Sequence, residues 1–264
     1  MPETATPPST DSNFADRMPA MGFLDHLEEL RKRLIYCVLS IVGGFGCCWW
    51  FHEKLFNWIQ KPIVTVLAAH GLDTHLVYTN PTEPFNIYLK VSFIAGVFVA
   101  APFILYQVWG FIAPGLYKHE RRYVMPFMSS TVFLFVAGGF FGYRIVYPAA
   151  LDFLINWSWQ FKPMITIGEY LDLFMTIILG LGIVFEMPIL VFFLALFGIV
   201  SAGWMWRNLR YSILVIFIVA AIITPTTDIM NMCVFAAPMI ILYVLSIGVA
   251  WLVHPKRRKK ALQE

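Results

Sequence analysis

Six long segments that are almost free of charge dominate this sequence of 264 residues. A helix that crosses a bilayer needs about 20 consecutive apolar residues, and each segment reaches or approaches that length. The chain is 59% hydrophobic and 13% charged, with a mean hydropathy of +0.70, so it lacks the polar side chains that cover a water-soluble surface. We therefore predict an all-α integral membrane protein with six transmembrane helices. The segments are residues 34–51, 91–117, 123–143, 173–206, 211–227 and 229–253.

The six segments differ in length. Segments 91–117 and 173–206 are longer than one span requires, so part of each is expected in a loop or an interfacial helix. Segment 211–227 is short, and only residues 225–228 separate its helix from the next one. We therefore predict that helices 5 and 6 are short and form a tight hairpin.

The positions of Lys and Arg predict the orientation of the chain, because basic residues close to the spans favour the cytoplasmic side. With the N-terminus inside, the inner segments hold most of the basic residues, including a run of five at 256–260. This asymmetry predicts that both termini are cytoplasmic. The outer segments keep only Lys54, Lys61, Lys90, Arg144 and Lys162.

Both ends of the chain differ from the apolar segments. Residues 1–21 are rich in Pro, Ser and Thr with acidic residues among them, and they have no apolar core. We expect a disordered N-terminal tail there and not a cleavable signal. Residues 255–264 are expected to form a basic cytoplasmic tail, and residues 22–254 one six-helix transmembrane domain.

The sequence lacks common motifs of covalent catalysis and nucleotide hydrolysis. It contains no Gly-x-Ser-x-Gly, no His-Glu-x-x-His and no Gly-Lys-Ser/Thr loop. We therefore predict that the chain is not an enzyme. We also expect no metal, no cofactor and no nucleic-acid partner.

Glu186 is the only charged residue between positions 173 and 206. A carboxylate inside the membrane is costly and commonly functional, so Glu186 is a candidate intramembrane site. Pro188, two residues later, frees the carbonyl of Val184 if the helix is continuous, which would supply a local acceptor. A functional contact with a partner and a structural contact within the bundle both fit this pattern.

Residues 23–34 carry acids among the expected bases. Their apolar side chains recur at helical spacing, which predicts an amphipathic helix on the inner membrane interface before the first span. Glu29 and its acidic neighbours precede the basic run 31–33. A solvated helix face explains most of these charges, but Glu29 and Arg31 are also candidates for binding.

Residues 111–122 form a second such segment between the second and third spans. Pro114 and Gly115 end the preceding helix, and Glu120 opens the next one among bases. An acid at a helix start is commonly a cap or a partner of the helix dipole. Glu120 is therefore a candidate with a simpler structural explanation.

The residue pattern of both segments can be matched to one protein family. It consists of His26, Leu27, Glu29, Leu30, Arg31, Arg33 and Leu34, then Tyr106, Gln107, Trp109, Phe111, Ile112, Pro114, Leu116, Tyr117, Glu120 and Arg121. Phe185, Glu186 and Pro188 belong to it, as does Asp228 after a Thr-Pro pair. The pattern resembles the TatC family, the signal-recognising core of the twin-arginine protein translocase, over about residues 22–254.

This resemblance implies that the chain binds signal peptides with consecutive arginines at its cytoplasmic face, through Glu29 and Glu120. Guanidinium groups pair with carboxylates through two parallel hydrogen bonds that a lysine ammonium cannot reproduce, so two acids would select arginine over lysine. Neighbouring bases would repel other cationic peptides. The further residues implied for this site are His26, Arg31, Phe111, Pro114, Leu116, Tyr117 and Lys118.

For the membrane interior, the resemblance implies that Glu186 contacts single-span partner subunits or perturbs the adjacent lipid. Pro188 and Asp228 are implied as weaker partner contacts. The implied partners are TatA- and TatB-like single-span subunits, membrane lipid and further copies of the chain. The implied process is export of folded proteins, driven by the proton-motive force, across the bacterial cytoplasmic (inner) membrane.

Two other classes of membrane protein remain open. A solute transporter needs an intramembrane polar pathway built from several spans, for which Glu186 alone is thin support. An assembly scaffold without signal recognition needs no acids in the cytoplasmic segments, and Glu29 and Glu120 argue against it.

Overall fold

The computed structural model describes residues 23–112, 124–157, 164–223 and 229–260. Regular secondary structure in these ranges is helical, apart from one isolated β-bridge between Val77 and Thr166. A π-helical turn, Gly142–Val146, joins α5 to α6. The helices are α1 (Phe23–Trp49), α2 (His52–Ile59), α3 (Lys61–Ala69), α4 (Glu83–Ile112), α5 (Val124–Phe141), α6 (Tyr147–Trp157), α7 (Ile167–Val184), α8 (Met187–Leu196), α9 (Ala202–Arg207), α10 (Leu209–Ile223) and α11 (Ile229–Lys260).

Among the described residues, five stretches of helix are long and apolar enough to cross a membrane: α1, α4, α5 through α6, α7 through α8, and α11. The all-α membrane architecture is therefore confirmed, and the fifth helix, α10, is short as predicted, with 15 residues. The sixth helix is not short. α11 has 32 residues, and its apolar part, Met232–Trp251, alone has 20. α11 packs against α8 and α9 as well as against α10, so the short length of α10 does not limit the length of α11.

α1 is one continuous helix of 27 residues, about 40 Å long at 1.5 Å per residue. Residues 23–34 are helical as predicted, but they are the start of α1 and do not form an interfacial helix ahead of the first span. No proline interrupts α1, and its first glycine is Gly43, so no helix-breaking residue stands where the polar side chains end. The amphipathic first turns therefore continue the axis of the span.

α1 packs on α4 through a close contact between the two backbones. A Cβ atom on Gly44 would lie 2.5 Å from the carbonyl oxygen of Gly96, and a Cβ on Gly96 would lie 2.6 Å from the backbone nitrogen of Phe45. Small residues let membrane helices approach this closely. Other side chains of α1, such as Leu34 and Val42, are exposed on the protein surface and free to contact lipid.

The end of the bundle away from the start of α1 is closed by α2, α3 and the loop before α4. The hydroxyl of Tyr143 donates to the backbone oxygen of Trp58 at 2.9 Å, and that of Tyr170 donates to the oxygen of Ile59 at 2.6 Å. The β-bridge adds a backbone link from the same loop to the residue before α7. These bonds fasten the third and fourth spans to one another through α2.

We expect Gly44→Ala to destabilise the protein, because the added methyl group meets the backbone of α4, which can move only by separating the two helices. Overpacking of this kind costs about 1–3 kcal/mol, which corresponds to roughly 2–4 °C in Tm for each kcal/mol in a chain of this size. Thermal unfolding of the purified protein in detergent measures the change.

Gly43→Ala is the matched control, since a Cβ atom at Gly43 meets no other atom within 4 Å. Both variants add the same methyl group to the same turn of α1, so their difference isolates the contact with α4. Equal melting temperatures would contradict the described crossing.

Candidate functional site

Glu29 lies where the first turns of α1 meet the last turns of α4. Its Oε1 atom accepts two hydrogen bonds from Arg33, one from Nε at 2.8 Å and one from Nη2 at 2.6 Å. The two residues are four apart on α1, which places their side chains on the same face of the helix. Only 19% of the Glu29 side chain and 24% of the Arg33 side chain is exposed, so this ion pair is largely shielded from solvent.

α4 contacts the guanidinium group of Arg33 from the other side. Nη1 of Arg33 donates to Oε1 of Gln107 at 3.2 Å and lies 3.5 Å from the backbone oxygen of the same residue. A Cβ atom on Gly110 would collide with Nη1, because the α4 backbone passes beside the guanidinium group. Gly110 therefore leaves the space that Arg33 occupies.

The second carboxylate oxygen of Glu29, Oε2, is buried and has no hydrogen-bond partner among the residues that the structure describes. A carboxylate has about four lone-pair positions for hydrogen bonds, so Glu29 retains unused acceptor capacity. Leaving a buried acceptor unpaired costs about 1–3 kcal/mol. Glu29 is therefore a good candidate for binding a donor that the described part of the chain does not supply.

One turn before Glu29, the ring of His26 stacks on the ring of Phe111 from α4. Their centroids are 4.3 Å apart, and the angle between the ring planes is 15°. The structure thus brings the predicted residues His26, Glu29 and Phe111 to the same contact between α1 and α4. Because α4 ends at Ile112, the loop predicted to contain the second carboxylate starts at this contact.

The charges nearby on α1 have a different environment. Arg31 is exposed. Lys32 pairs with Glu28 at 2.8 Å, and these two side chains are 66% and 62% exposed. The solvated helix face considered for this segment therefore describes Glu28, whereas Glu29 is enclosed.

Several predicted positions lie outside the described residues. They include the second proposed carboxylate and the candidate partner contact after the fifth span. The predicted N-terminal tail, residues 1–21, also lies outside, and the predicted basic tail begins within α11, which continues to Lys260. The site residues concerned are Pro114, Leu116, Tyr117, Lys118, Glu120 and Asp228.

Glu186 lies where the fourth span is interrupted. α7 ends at Val184 and α8 begins at Met187, and Phe185 and Glu186 form the turn between them. Oε1 of Glu186 is buried, and no side chain or backbone group of the described ranges forms a hydrogen bond with it. The carboxyl group is therefore partly enclosed within a span, with an unused acceptor.

Pro188 does not lie inside a continuous helix, as the sequence suggested, but in the first turn of α8. The N–H groups of a first turn have no acceptor within their own helix, so proline is favourable there. Glu186 still donates its backbone N–H to the oxygen of Ile183 at 3.0 Å, which closes the end of α7. Oε1 of Glu186 forms no hydrogen bond with the carbonyl of Val184, the local acceptor that a continuous helix would have supplied.

Three residues of the α1–α4 contact were not assigned to the site from the sequence: Arg33, Gln107 and Gly110. The first two belong to the family pattern, and the i, i+4 spacing of Glu29 and Arg33 predicts their pairing. No sequence feature indicates the role of Gly110, since that role arises only when α1 approaches α4.

A cavity of about 640 Å³ lies at the opposite end of the bundle, and its lining includes Glu83, Lys90 and Asp172. Lys90 pairs with Asp172 at 2.5 Å, and Glu83 accepts a hydrogen bond from the backbone N–H of Gly168 at 2.8 Å. These three charged groups are already partnered within the chain. Across the ranges that the structure covers, no three His, Cys, Asp or Glu side chains are grouped as metal ligands would be.

Residues 25–238 match the family model described as Sec-independent protein translocase protein (TatC). The TatC protein of Koribacter versatilis is 70% identical over 261 residues, which is 98% of this chain and 96% of that protein. The TatC protein of Aquifex aeolicus is 33% identical over 247 residues, which is 92% of this chain and 100% of that protein.

Solved structures of TatC proteins also match this chain. A crystal structure of the twin-arginine translocase receptor TatC has a TM-score of 0.77 and 33% identity to this chain, and the match covers 86% of this chain and 99% of that one. A crystal structure of the receptor in DDM has a TM-score of 0.77 and 34% identity, with 85% and 99% covered. This chain is therefore a multi-pass protein of the bacterial inner membrane and belongs to the TatC family of Sec-independent protein translocases.

Proposed function

We propose that this chain is the signal-peptide receptor of a twin-arginine translocase. It binds peptides with two consecutive arginines at the end of the bundle where α1 begins and α4 ends. Glu29 and Glu120 accept hydrogen bonds from the two guanidinium groups. This end faces the cytoplasm, and both termini of the chain lie on that side.

The hydrogen bonding and burial of the two Glu29 carboxylate oxygens are the main support for this proposal. One oxygen already accepts two N–H groups from a single guanidinium group, and the other is buried without a partner among the described residues. The first fact indicates that the surroundings of Glu29 accommodate arginine. The second indicates that a further donor would lower the free energy of the site.

The choice of arginine over lysine follows from the geometry of the two cations. A guanidinium group is planar and presents parallel N–H groups that match the two oxygens of a carboxylate. An ammonium group is a compact, strongly hydrated charge, and it forms no such paired contact. A site that is shielded from water increases this difference, because the lysine loses its hydration without full replacement.

The surroundings of Glu29 also suit a peptide. The stacked rings of His26 and Phe111 form an aromatic surface one turn away, where apolar side chains next to the arginines can bind. Arg31 and Lys118 repel cationic peptides that do not reach the acids. The loop after α4 adds Pro114, Leu116 and Tyr117 to the proposed site.

The receptor also organises single-span TatA- and TatB-like subunits, membrane lipid and further copies of the chain for export of the folded precursor. Export uses the proton-motive force, and the chain itself performs no covalent chemistry. Family membership supports these roles, and so does the lack of a Gly-Lys-Ser/Thr loop in the sequence.

Glu186 is the proposed contact with a single-span subunit. A polar group on a partner helix would supply the hydrogen bond that Oε1 lacks within the described chain. Pro188 places the start of α8 at this point and is a weaker part of the same contact. Asp228 is carried over from the family pattern as a second, weaker contact.

The binding of a twin-arginine signal peptide and of its Lys-Lys counterpart tests the receptor role. Wild type is expected to bind the Arg-Arg peptide at least tenfold more tightly, since loss of one charge-assisted hydrogen bond changes affinity by about that factor or more. Glu29→Gln and Glu120→Gln are each expected to reduce this preference, because a neutral amide cannot accept a paired guanidinium contact. Fluorescence anisotropy on the purified protein in detergent gives both affinities.

Glu28→Gln is the control, since Glu28 carries the same charge one residue away but is 62% exposed and paired with Lys32. It is expected to retain the preference of wild type. A folded wild type that binds both peptides equally would reject the receptor role for the isolated chain.

Glu186→Leu tests the contact with the partner subunits. We expect the variant to insert and fold, to bind the Arg-Arg peptide as wild type does, and to recover fewer single-span subunits in co-purification. Met187→Leu, at the first residue of α8, is expected to behave as wild type. Normal co-purification and normal export of a precursor by Glu186→Leu would eliminate the proposed contact.

A further inference from the structure

His70 joins α3 to α6 at the end of the bundle away from the start of α1. It follows the last residue of α3 and belongs to the cap, which consists of α2, α3 and the loop before α4. Its Nδ1 atom lies 2.9 Å from the backbone oxygen of Val66, and its Nε2 atom lies 3.0 Å from Oδ1 of Asn156 in α6. Oδ1 of Asp152, one turn earlier in α6, lies 3.5 Å from the same Nε2 atom. Both ring nitrogens of His70 therefore face oxygen acceptors.

Asp152 also orients the amide group of Asn156. Nδ2 of Asn156 donates to Oδ2 of Asp152 at 3.1 Å, so Oδ1 of Asn156 is the atom that faces His70. If the amide turned over, it could donate to a neutral ring, but its oxygen would then face the carboxylate. A neutral imidazole carries one N–H group, so each of its arrangements here leaves one contact between two acceptors. The imidazolium form carries an N–H group on both nitrogens and satisfies both contacts.

We propose that His70 is a pH-dependent latch, which fastens the cap to α6 when its ring is protonated and loosens that link when the ring is neutral. The hydrogen bond to Asn156 is charge-assisted in the protonated form, and charge-assisted bonds are the stronger ones. The carboxylate of Asp152 adds an opposite charge on the same side of the ring.

Asp152 is the charged residue of α6, and no other charged group of the described ranges pairs with His70. In the loop after α3, Asp73 contacts the ring of His75 at 2.8 Å. The charged and titratable residues of α2 and α3 belong to the first turn of each helix, whereas His70 follows the last turn of α3. They are His52, Glu53, Lys54 and Lys61.

The direction of the pH effect follows from these contacts. The oxygens of Val66 and Asn156, and to a smaller extent the Asp152 carboxylate, raise the pKa of His70 above its ordinary value. A histidine of this kind stabilises the folded state fully below its ordinary pKa of about 6.5. That stabilisation is lost as the pH rises through the higher pKa of the folded state. The link between α3 and α6 is therefore stronger in more acidic solution.

The latch acts at the edge of an apolar contact. Ile63 and Leu67 of α3 and Leu151 and Ile155 of α6 are buried in one core cluster, which holds the two helices together at any pH. His70 lies beyond this contact, at the end of α3. We therefore expect protonation to stabilise the last turn of α3 and the residues that follow it, while the bundle stays folded when the latch is open.

The side of the membrane on which the latch works rests on the proposed function, because that proposal places the start of α1 in the cytoplasm. The cap then faces the outer side, where the proton gradient of an energised membrane lowers the pH. Energisation would thus fasten the cap. Because α6 continues the third span, the latch would act directly on a membrane-spanning helix.

The first test is the protonation of His70 itself, measured by imidazole ¹⁵N NMR on histidine-labelled protein in detergent, with His70→Gln to assign the signal. The midpoint is expected above the ordinary value for histidine. Asp152→Asn should lower it, because the amide carries no charge. Asn156→Asp should raise it, because a carboxylate then faces Nε2 directly. A midpoint at the ordinary value, or one that neither substitution moves, would overturn the inference.

The second test is hydrogen exchange of residues 61–72 at about pH 5.5 and about pH 8, on either side of the histidine range. Labelling times are scaled to the intrinsic exchange rate at each pH. Wild type is expected to be better protected at the lower pH, and His70→Gln is expected to lose that difference. The same pH dependence in wild type and His70→Gln would contradict the latch.

His75→Gln is the matched control. His75 also contacts an aspartate, Asp73, but their side chains are 91% and 79% exposed and belong to one loop, so this pair joins no two helices. The variant should keep the pH dependence of wild type. Both tests are made without a signal peptide, and His70→Gln is expected to bind the Arg-Arg and Lys-Lys peptides as wild type does. Failure of the latch and failure of the receptor role are therefore separate results.

Discussion

The close approach of α1 to α4 is the constraint on which the candidate site depends. Gly44 and Gly96 allow the two backbones to touch, and α4 is the main neighbour of α1. Nearer to the start of α1, the same approach brings Arg33 beside Gly110 and stacks His26 on α4. The described part of the site is therefore a consequence of helix packing.

Enclosure distinguishes two ion pairs that have the same spacing and similar chemistry. The pair of Glu28 and Lys32 is surrounded by solvent, and exposed pairs of this kind contribute about 0–1 kcal/mol. The pair of Glu29 and Arg33 lies against α4, and Oε2 of Glu29 is buried there away from solvent. Only in the enclosed pair does each additional or missing donor change the free energy appreciably, which is the condition for selectivity between similar cations.

The membrane class and the short α10 could be predicted from hydropathy, because the length of an apolar segment limits the length of a span. The continuity of α1 could not be predicted from hydropathy, because polar residues end the apolar stretch without ending the helix. Pro188 was misplaced because a proline that cannot continue one helix is well suited to start another. The pairing of Glu29 with Arg33 follows from spacing along α1. The space that Gly110 leaves for Arg33 depends on which helix packs against α1, and hydropathy contains no information about that choice.

The length of α10 also affects the lipid around the protein. Its 15 residues measure about 22 Å along a helix axis, whereas the hydrocarbon core of a bilayer is about 30 Å thick. Hydrophobic mismatch of this kind is relieved by local compression of the bilayer or by polar groups that are drawn inward, at a cost of fractions of a kcal/mol per Å. The lipid or the polar groups beside α10 therefore adjust in a way that the longer α1 does not require, so the boundary between protein and bilayer is uneven around the circumference of the bundle.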